Sequence, residues 1–446
     1  MHFKPLYYFS KLIFNVTIRT YYRDIKVRGE KNLCPGKPVI IAMNHPNSFM
    51  DPIAFATVVR PTMNFLARGD AFTKFLSPVL RSVGIIPIYR LMDSGREGVQ
   101  KNDETFRTVT QYLKDRRYVI IFAEGISIQA RRLINLKKGC ARIVLGAVES
   151  LDDKEIRVVP VGMNYQNDPS KFRHRLFIDI GEPILVSDYQ ELYRENPSKT
   201  INQFTADLQQ RMKSTLVHIQ DGENDLLVEQ IEEICLEEHL ELKGYKRSNL
   251  EAAHAFTISV VGAVSAIAET NTAQLDNLKI KINDYLDQVS SLGIRDKLLR
   301  DKYLHLSQTS SIIFRSVLFL LGLPIWLTGL LTNYVPYLIC WKFPVKLTKD
   351  IEWFAALAGA VGTFVFLFYH LIQFFICWLL SGSLEFLMIY IAATFFSGWF
   401  SLHYSPFRKK LFGSYRLNKI KKNQSVFSQL LESRKEIIME VNKIIS

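Results

Sequence analysis

A run of about 27 residues without a formally charged side chain, Phe354 to Leu380, constrains the fold of this chain more than any other feature. A run of this length is predicted to cross a bilayer as a helix, because lipid offers no hydrogen-bond partners to unpaired backbone groups. Leu384 to Leu402 is a second such run, in which Glu385 is the one charged residue. Because only Ser381-Gly382-Ser383 separates the two runs, we expect a tight helical hairpin.

The segment 312–341, which precedes the hairpin, is apolar but interrupted. It contains Arg315, Pro324, Asn333 and Pro336, so we expect two short segments or a re-entrant hairpin there rather than one straight span. Together, this segment and the hairpin over 354–402 define a predicted membrane region of residues 311–404.

The flanks of this region are basic. The tail 405–446 carries ten Lys or Arg against three Glu from residue 408 onward, and the loop after 341 holds Lys342, Lys346 and Lys349. The positive-inside rule places both flanks in the cytoplasm, which is consistent if the segment 312–341 returns to its starting side and 354–402 is a hairpin. Three separate spans would instead place one basic segment outside. The sequence therefore predicts an integral membrane protein with its larger N-terminal part on the cytoplasmic face.

The N-terminal part divides into three predicted regions. Residues 1–24 form an aromatic-rich amphipathic helix, expected at the membrane interface or packed on a core. Residues 216–310 are charged, with a helical period, and are expected to form a helical subdomain. Residues 25–215 alternate short apolar strands with helices, which predicts an α/β domain with a mixed sheet flanked by helices. The predicted strands are Val39–Met43, Met63–Ala67, Ile85–Tyr89, Val119–Phe122, Val158–Met163 and Leu176–Ile180.

Composition favours an anionic partner. The formal net charge is +13, the pI is about 9.3, and 48% of residues are hydrophobic and cluster towards the C-terminus. Because no nucleic-acid motif is present, we expect membrane lipids and a phosphorylated substrate rather than nucleic acid. The five cysteines are scattered, so no metal site is predicted.

Candidate chemistry begins at Asn44-His45, with Asp51 downstream. A neutral imidazole can take a proton from an attacking hydroxyl, and a neighbouring carboxylate fixes its tautomer and stabilises the imidazolium. The structural alternative is that Asp51, followed by Pro52, caps a helix, or that Ser48 does so in a capping box.

Two further blocks offer groups for an anionic substrate. Arg90 ends an apolar strand, where its guanidinium suits a phosphate, or it is an ordinary surface residue. Glu124-Gly125 forms a turn after another strand and is followed by Ser127, and Lys138 lies in a basic loop ahead of a helix. A helix start beside cations is a plausible phosphate cradle, with a solvated loop as the alternative.

These blocks, closed by Pro160, resemble in their order the motifs of the glycerolipid acyltransferase family over residues 25–215. Five residues separate His45 from Asp51, rather than the usual four, which is similar to the glycerol-3-phosphate and dihydroxyacetone-phosphate acyltransferase-like branch. Phe122-Ala123-Glu124-Gly125 also replaces the usual Phe-Pro-Glu-Gly.

The resemblance implies a membrane-bound O-acyltransferase of phospholipid biosynthesis. It implies His45 and Asp51 as catalytic residues and a substrate-binding set of Asn44, Arg90, Glu124, Gly125, Ser127 and Lys138. The donor would be an acyl-CoA or acyl-carrier-protein thioester, with no cofactor. The acceptor would be glycerol 3-phosphate or, alternatively, 1-acylglycerol 3-phosphate. A non-catalytic lipid-headgroup-binding or scaffold protein and a small transporter are the alternatives from other classes.

Overall fold

The computed structural model describes residues 4–75, 77–89, 100–151, 155–166 and 172–445, and the chain divides into two compact units. The first, here called the sheet unit, comprises residues 1–222 and 348–359. The second, here called the helical unit, comprises residues 223–347 and 360–446.

The sheet unit is built on one eight-stranded mixed sheet with the order β1-β7-β6-β2-β5-β3-β4, and β8 pairs with β6. The strands around β2 run parallel, whereas β7 and β8 are antiparallel to β6. The mixed α/β fold predicted from the sequence is therefore confirmed. The strands are β1 Asp24–Arg28, β2 Val39–Met43, β3 Met63–Arg68, β4 Ile85–Ile88, β5 Tyr118–Phe122, β6 Arg157–Gln166, β7 Arg175–Ile180 and β8 Ile184–Leu185.

Helices cover both faces of the sheet, which is why β2 is an unbroken apolar run whose residues are all buried. On one face Val109, Val144 and Phe204 pack over the sheet, and on the other Ile18 and Phe55 do so. The helices of this unit are α1 Lys4–Tyr21, α2 Met50–Val58, α3 Ser77–Ser82, α4 Asn102–Lys114, α5 Gly139–Ala147, α6 Gln190–Glu195 and α7 Pro197–Lys213.

Helix α1 has two apolar faces. Ile18 and Tyr21 are buried in the core of the sheet unit, and the Lys11 ammonium donates to the carbonyl of Val59 at 2.8 Å. A second set of large apolar side chains is exposed: Tyr8, Phe9, Leu12 and Val16. The helix thus combines packing on the core with a free apolar face of the kind that suits a membrane interface.

Helices make up the rest of the chain, and four of those described are long and apolar enough to cross a membrane. These four are α9, α12, α13 from Trp353 onward, and α14. The first of these helices, Leu250–Thr270, was not predicted as a possible membrane span, because the sequence analysis took residues 216–310 together as one charged helical subdomain. The helices are α8 Asp225–Leu242, α9 Leu250–Thr270, α10 Thr272–Ser291, α11 Asp301–Leu304, α12 Thr309–Leu347, α13 Ile351–Ser381, α14 Leu384–Lys421 and α15 Gln424–Ile445.

Helix α12 differs from the expectation for residues 312–341. Instead of two short segments or a re-entrant hairpin, one 39-residue helix continues through Pro324, Pro336 and Pro344. A proline within a helix removes only one backbone donor, and in an apolar surrounding the helix still pairs more backbone groups than a loop would.

Close packing along α14 supports this continuous helix. A Cβ added at Gly329 would lie 2.3 Å from the carbonyl oxygen of Ser397, so only glycine allows the two backbones to approach this closely. At its N-terminal end, α14 is joined to α13 by Gly382 and Ser383 alone. Gly382 adopts a left-handed φ of 59°, and the Ser383 hydroxyl accepts the Phe386 N–H at 3.3 Å.

Candidate active site

His45 and Asp51 meet beyond the end of β2: His45 lies in the loop that leads into α2, and Asp51 lies in the first turn of that helix. The His45 Nδ1 lies 2.9 Å from the Asp51 Oδ2. The Asp51 side chain is fully buried, whereas the imidazole is 17% exposed. A tight turn makes the five-residue spacing possible, because Ser48 takes a left-handed φ of 40° and the Asp51 N–H donates back to the Ser48 carbonyl at 3.2 Å.

The Asp51 carboxylate is held by three donors. Besides His45, the Asn47 N–H donates to Oδ2 at 2.8 Å and the Tyr165 hydroxyl donates to Oδ1 at 2.5 Å. Phe49 occupies the N-cap position of α2, and no side chain caps that helix end. Asp51 therefore orients His45 and does not serve as a helix cap, and Ser48 does not cap the helix either.

The position of the imidazole fixes its chemistry. Because Nδ1 faces a carboxylate, Nδ1 carries the hydrogen and Nε2 keeps a lone pair that can accept a proton. The ring also stacks on Phe122, with 3.7 Å between centroids and 18° between planes. An imidazole held in this way has the tautomer and orientation that a general base requires.

Glu124 supports the loop that carries His45. One of its oxygens accepts the His45 N–H at 3.0 Å and the other accepts the Ile134 N–H at 3.1 Å. Burial raises the pKa of this carboxyl, and the two backbone donors partly offset that rise. Predicted as a substrate-binding residue, Glu124 has both oxygens engaged by backbone amides.

Ser127 and Asn44 likewise bond to the protein around His45. The Ser127 hydroxyl donates to the His45 carbonyl at 2.8 Å and accepts the Ser48 N–H at 3.0 Å. The Asn44 side chain exchanges two hydrogen bonds with the Met163 backbone, at 2.7 and 3.3 Å, and so ties the end of β2 to β6. Both residues were predicted to bind substrate, and their observed bonds hold the His45 loop.

Three predicted site residues remain, namely Gly125, Lys138 and Arg90. Gly125 adopts a left-handed φ of 75°, and a Cβ there would lie 3.1 Å from the Lys137 side chain. Lys138 is exposed and directly precedes α5. The prediction for Arg90 falls outside the described residues.

Two tyrosines of the site were missed by the sequence analysis. Tyr165 lies near the end of β6, and its pKa is raised well above its usual range by burial and by the charge of Asp51, so its hydroxyl remains a donor. Tyr22 lies beside it, with 3.5 Å between the two hydroxyl oxygens, and accepts from the Asn47 side chain at 3.4 Å. The one sequence feature that could have pointed to Tyr165 is the apolar run around Pro160, because this run continues as strand β6 as far as Gln166.

No permanent cation neutralises Asp51. Within the described part of the chain, neither Lys nor Arg lies within 4.0 Å of its carboxylate, so its charge is available to an imidazolium that forms on His45. Among these same residues there is no group of three or more His, Cys, Asp or Glu that could hold a metal ion.

Part of this chain is similar in sequence to known acyltransferases. The sequence model of the family described as Acyltransferase matches residues 24–164. Glycerol-3-phosphate O-acyltransferases 2 and 1 of Saccharomyces cerevisiae are 38% and 28% identical over 102 and 134 residues, which are 23% and 29% of this chain. These segments span only 14% and 18% of the two yeast proteins.

A solved structure is also similar. The 1-acyl-sn-glycerophosphate acyltransferase from Thermotoga maritima aligns with 19% identity and a TM-score of 0.31, over 47% of this chain and 80% of that one. The family match and the yeast proteins confirm the resemblance to glycerolipid acyltransferases that the four sequence blocks predicted.

Proposed function

Because residues 24–164 match the sequence model of the Acyltransferase family, we propose that this chain transfers a fatty acyl group from an acyl thioester to a hydroxyl of glycerol 3-phosphate. The observation that carries the proposal is the pairing of His45 with the buried, cation-free carboxylate of Asp51. The names of the two yeast relatives support glycerol 3-phosphate as the acceptor.

In the proposed reaction, the His45 Nε2 takes the proton of the acceptor hydroxyl as its oxygen attacks the thioester carbonyl carbon. The imidazolium is stabilised by the Asp51 carboxylate, which Tyr165 and the Asn47 N–H hold in place. When the carbon–sulfur bond breaks, the thiolate leaves and takes the proton back from His45. No covalent acyl-enzyme is needed, since the thioester is already activated.

The acceptor phosphate requires a cation. Arg90 and Lys138 remain our candidates, with Arg90 placed first because its guanidinium can hold two phosphate oxygens at once. Glu124 and Ser127 contribute by holding the backbone of His45. 1-Acylglycerol 3-phosphate is the second candidate acceptor, since it carries the same phosphate and a free hydroxyl.

We place the reaction at a membrane surface, on the cytoplasmic side where acyl thioesters are made. The long apolar helices support membrane insertion, and the exposed apolar face of α1 supports interfacial contact. A product with a fatty acyl chain would then pass directly into the bilayer.

The test is acyl transfer by the purified full chain in lipid nanodiscs. Labelled acyl-CoA and acyl-carrier protein are each offered with glycerol 3-phosphate, dihydroxyacetone phosphate, 1-acylglycerol 3-phosphate and unphosphorylated glycerol. We expect glycerol 3-phosphate to give the highest kcat/KM and glycerol to be a very poor acceptor. His305→Ala, which removes an exposed histidine of the helical unit, serves as the unaffected control.

Each result decides between the alternatives. Preference for 1-acylglycerol 3-phosphate would keep the chemistry and replace the acceptor. Equal use of glycerol would remove the role given to a phosphate-binding cation. A folded protein that transfers to no acceptor from either donor would contradict the enzyme and favour a non-catalytic lipid-binding protein.

A further inference from the structure

Within the helical unit, the start of α12 and the basic end of α14 lie side by side. The two helices are antiparallel: Arg315 contacts Ser414, and Gly329, further along α12, meets Ser397. Between Glu385 and Glu432 the chain contains no acidic residue, and the seven cations there all fall after Pro406. These cations are Arg408, Lys409, Lys410, Arg416, Lys419, Lys421 and Lys422.

Arg315 is the unusual member of this region, because its guanidinium is buried with no carboxylate within 4.0 Å among the described residues and lies 5.8 Å from the centre of the Phe407 ring. One nitrogen, Nη1, donates to the Ser414 hydroxyl at 3.1 Å and to the Leu306 carbonyl at 3.4 Å. The other, Nη2, is buried and has no hydrogen-bond partner among the described residues. The side chain is only 8% exposed. Burying a charge with an unused hydrogen-bond donor costs folding free energy, and an anionic ligand that accepts from Nη2 would offset that cost.

Lys410 adds positive charge close enough to Arg315 for the two cations to repel each other, and Lys297 in turn lies near Lys410. The Lys410 Nζ lies 4.6 Å from the centre of the Tyr303 ring, and the Lys297 Nζ lies 5.0 Å from the same centre. Burial and the neighbouring cations lower the pKa of Lys297 to about 8.

The Glu237 carboxylate lies near these cations, but it already pairs with several of them. Glu237 lies 3.6 Å from Lys297 and also pairs with Arg300 and Arg247. Across the described residues, no carboxylate lies within 4.0 Å of Arg315 or Lys410. The cluster therefore carries more positive charge than the protein itself neutralises.

An apolar surface begins directly beside this cluster. Phe314, Val317, Leu318 and Leu321 on the same stretch of α12 are all exposed, at 64%, 50%, 43% and 69%. The cations thus border this apolar surface, which also includes the exposed Ile313, Phe412 and Tyr415. Basic groups at such a boundary lie at the depth of lipid headgroups.

We propose that Arg315 and Lys410, assisted by Lys297, bind the phosphate of an anionic diacyl phospholipid whose acyl chains lie along the exposed apolar face of α12. The free Nη2 supplies a donor to one phosphate oxygen, and the lysine ammonium neutralises another. A membrane phospholipid fits better than a soluble phosphate, because the cations adjoin exposed apolar surface rather than an enclosed polar cavity. The site is separate from His45, and its occupancy does not depend on acyl transfer.

Native mass spectrometry of the purified full chain tests this site. The protein is held in micelles that contain equal amounts of dioleoyl phosphatidylglycerol and dioleoyl phosphatidylcholine. Arg315→Gln and Lys410→Gln are compared with Lys409→Gln, which removes the same charge from an exposed neighbour on the same helix. We expect the wild type to retain phosphatidylglycerol preferentially, the two site variants to lower that affinity about tenfold, and Lys409→Gln to leave it unchanged.

If Arg315→Gln disturbs the packing of the helices, Lys410→Gln still tests the site, because Lys410 is only half-buried. Arg315→Lys, which keeps the charge and loses the second donor, is expected to fall between the wild type and Arg315→Gln. The proposal is overturned if all three glutamine variants weaken binding equally, if phosphatidylcholine is retained as well as phosphatidylglycerol, or if inorganic phosphate displaces the lipid. Binding is measured without an acyl donor, so its outcome is independent of whether the chain is an acyltransferase.

Discussion

Two buried carboxylates, one in each unit, show how similar surroundings lead to different roles. Asp51 in the sheet unit and Asp296 in the helical unit are both fully buried, and each accepts a hydrogen bond from a tyrosine hydroxyl. Burial and the neighbouring carboxylate raise the pKa of both tyrosines, Tyr165 and Tyr285, so both hydroxyls remain donors.

The remaining partners differ. The Asp296 carboxylate accepts hydrogen bonds from the Arg434 Nε at 2.7 Å and from the Arg300 Nη2 at 3.4 Å, so two guanidiniums neutralise it permanently. Both guanidiniums also donate to backbone carbonyls of α8, which ties the ion network into the helix packing. Asp51 has instead a backbone N–H and one titratable imidazole.

If the proposed function is correct, the counter-charge rather than the burial of the carboxylate separates the structural site at Asp296 from the proposed catalytic site at Asp51. A carboxylate that is already neutralised stabilises the fold, and breaking the pair leaves uncompensated charge. A carboxylate held by neutral donors can stabilise a positive charge that appears only during a reaction. The predictions below test this distinction with matched substitutions in the two units.

The largest effect is expected for His45→Ala. Removal of a positioned base should lower kcat by about 100-fold or more, with the thermal midpoint nearly unchanged because the ring is partly exposed. Steady-state acyl transfer and thermal unfolding in the same nanodiscs check both statements. Near-wild-type turnover of the folded variant would remove His45 from the mechanism.

Asp51→Asn and Asp296→Asn should separate function from stability. The first should lower kcat by roughly 10- to 100-fold, because the amide cannot stabilise an imidazolium as a carboxylate does. The second should leave kcat per folded molecule unchanged and destabilise the chain by about 3–5 kcal/mol, because two buried arginines lose their partner. The contrast between the two units fails if both substitutions act mainly on the same quantity.

The tyrosine partners should follow the same division with smaller effects. Tyr165→Phe removes one donor from Asp51 and should lower kcat about fivefold, whereas Tyr285→Phe should cost about 1 kcal/mol of stability and no activity. Turnover and thermal midpoints of the two variants, measured side by side, provide the check. Loss of activity in Tyr285→Phe would show that the helical unit contributes to turnover.

The smallest effect is expected at the acceptor phosphate. Arg90→Lys should raise the KM for glycerol 3-phosphate by roughly threefold and leave the KM for the acyl thioester unchanged, because lysine keeps the charge but loses the two-pronged donor. Arg434→Lys serves as the paired control and should lower stability without changing either KM. Equal changes in both KM values for Arg90→Lys would assign Arg90 a structural role.

The mixed sheet and the His45–Asp51 pair could be predicted because they depend on local patterns. Strands such as Val39–Met43 are continuous apolar runs that need cover on both faces. Only five residues separate His45 from Asp51 in the first turn of α2, so the short chain distance keeps the two side chains close together.

The parts that could not be predicted depend on distant contacts. Tyr165 reaches Asp51 across 114 positions of sequence, and no local pattern marks it. Glu124 was predicted to bind substrate, yet its oxygens are taken by backbone donors that only the folded loops bring together. The continuous α12 also depends on the packing of Gly329 against α14, which a count of prolines does not include.

The central claim is that His45 and Asp51 act as one catalytic unit, and a double-mutant cycle tests it most directly. Acyl transfer to glycerol 3-phosphate is measured for the wild type, His45→Ala, Asp51→Asn and the double variant, all shown to be folded. If Asp51 acts only through His45, the double variant should have a kcat within about threefold of His45→Ala alone. A double variant that loses the full factor of Asp51→Asn on top of that of His45→Ala would contradict the account, because the two residues would then act independently.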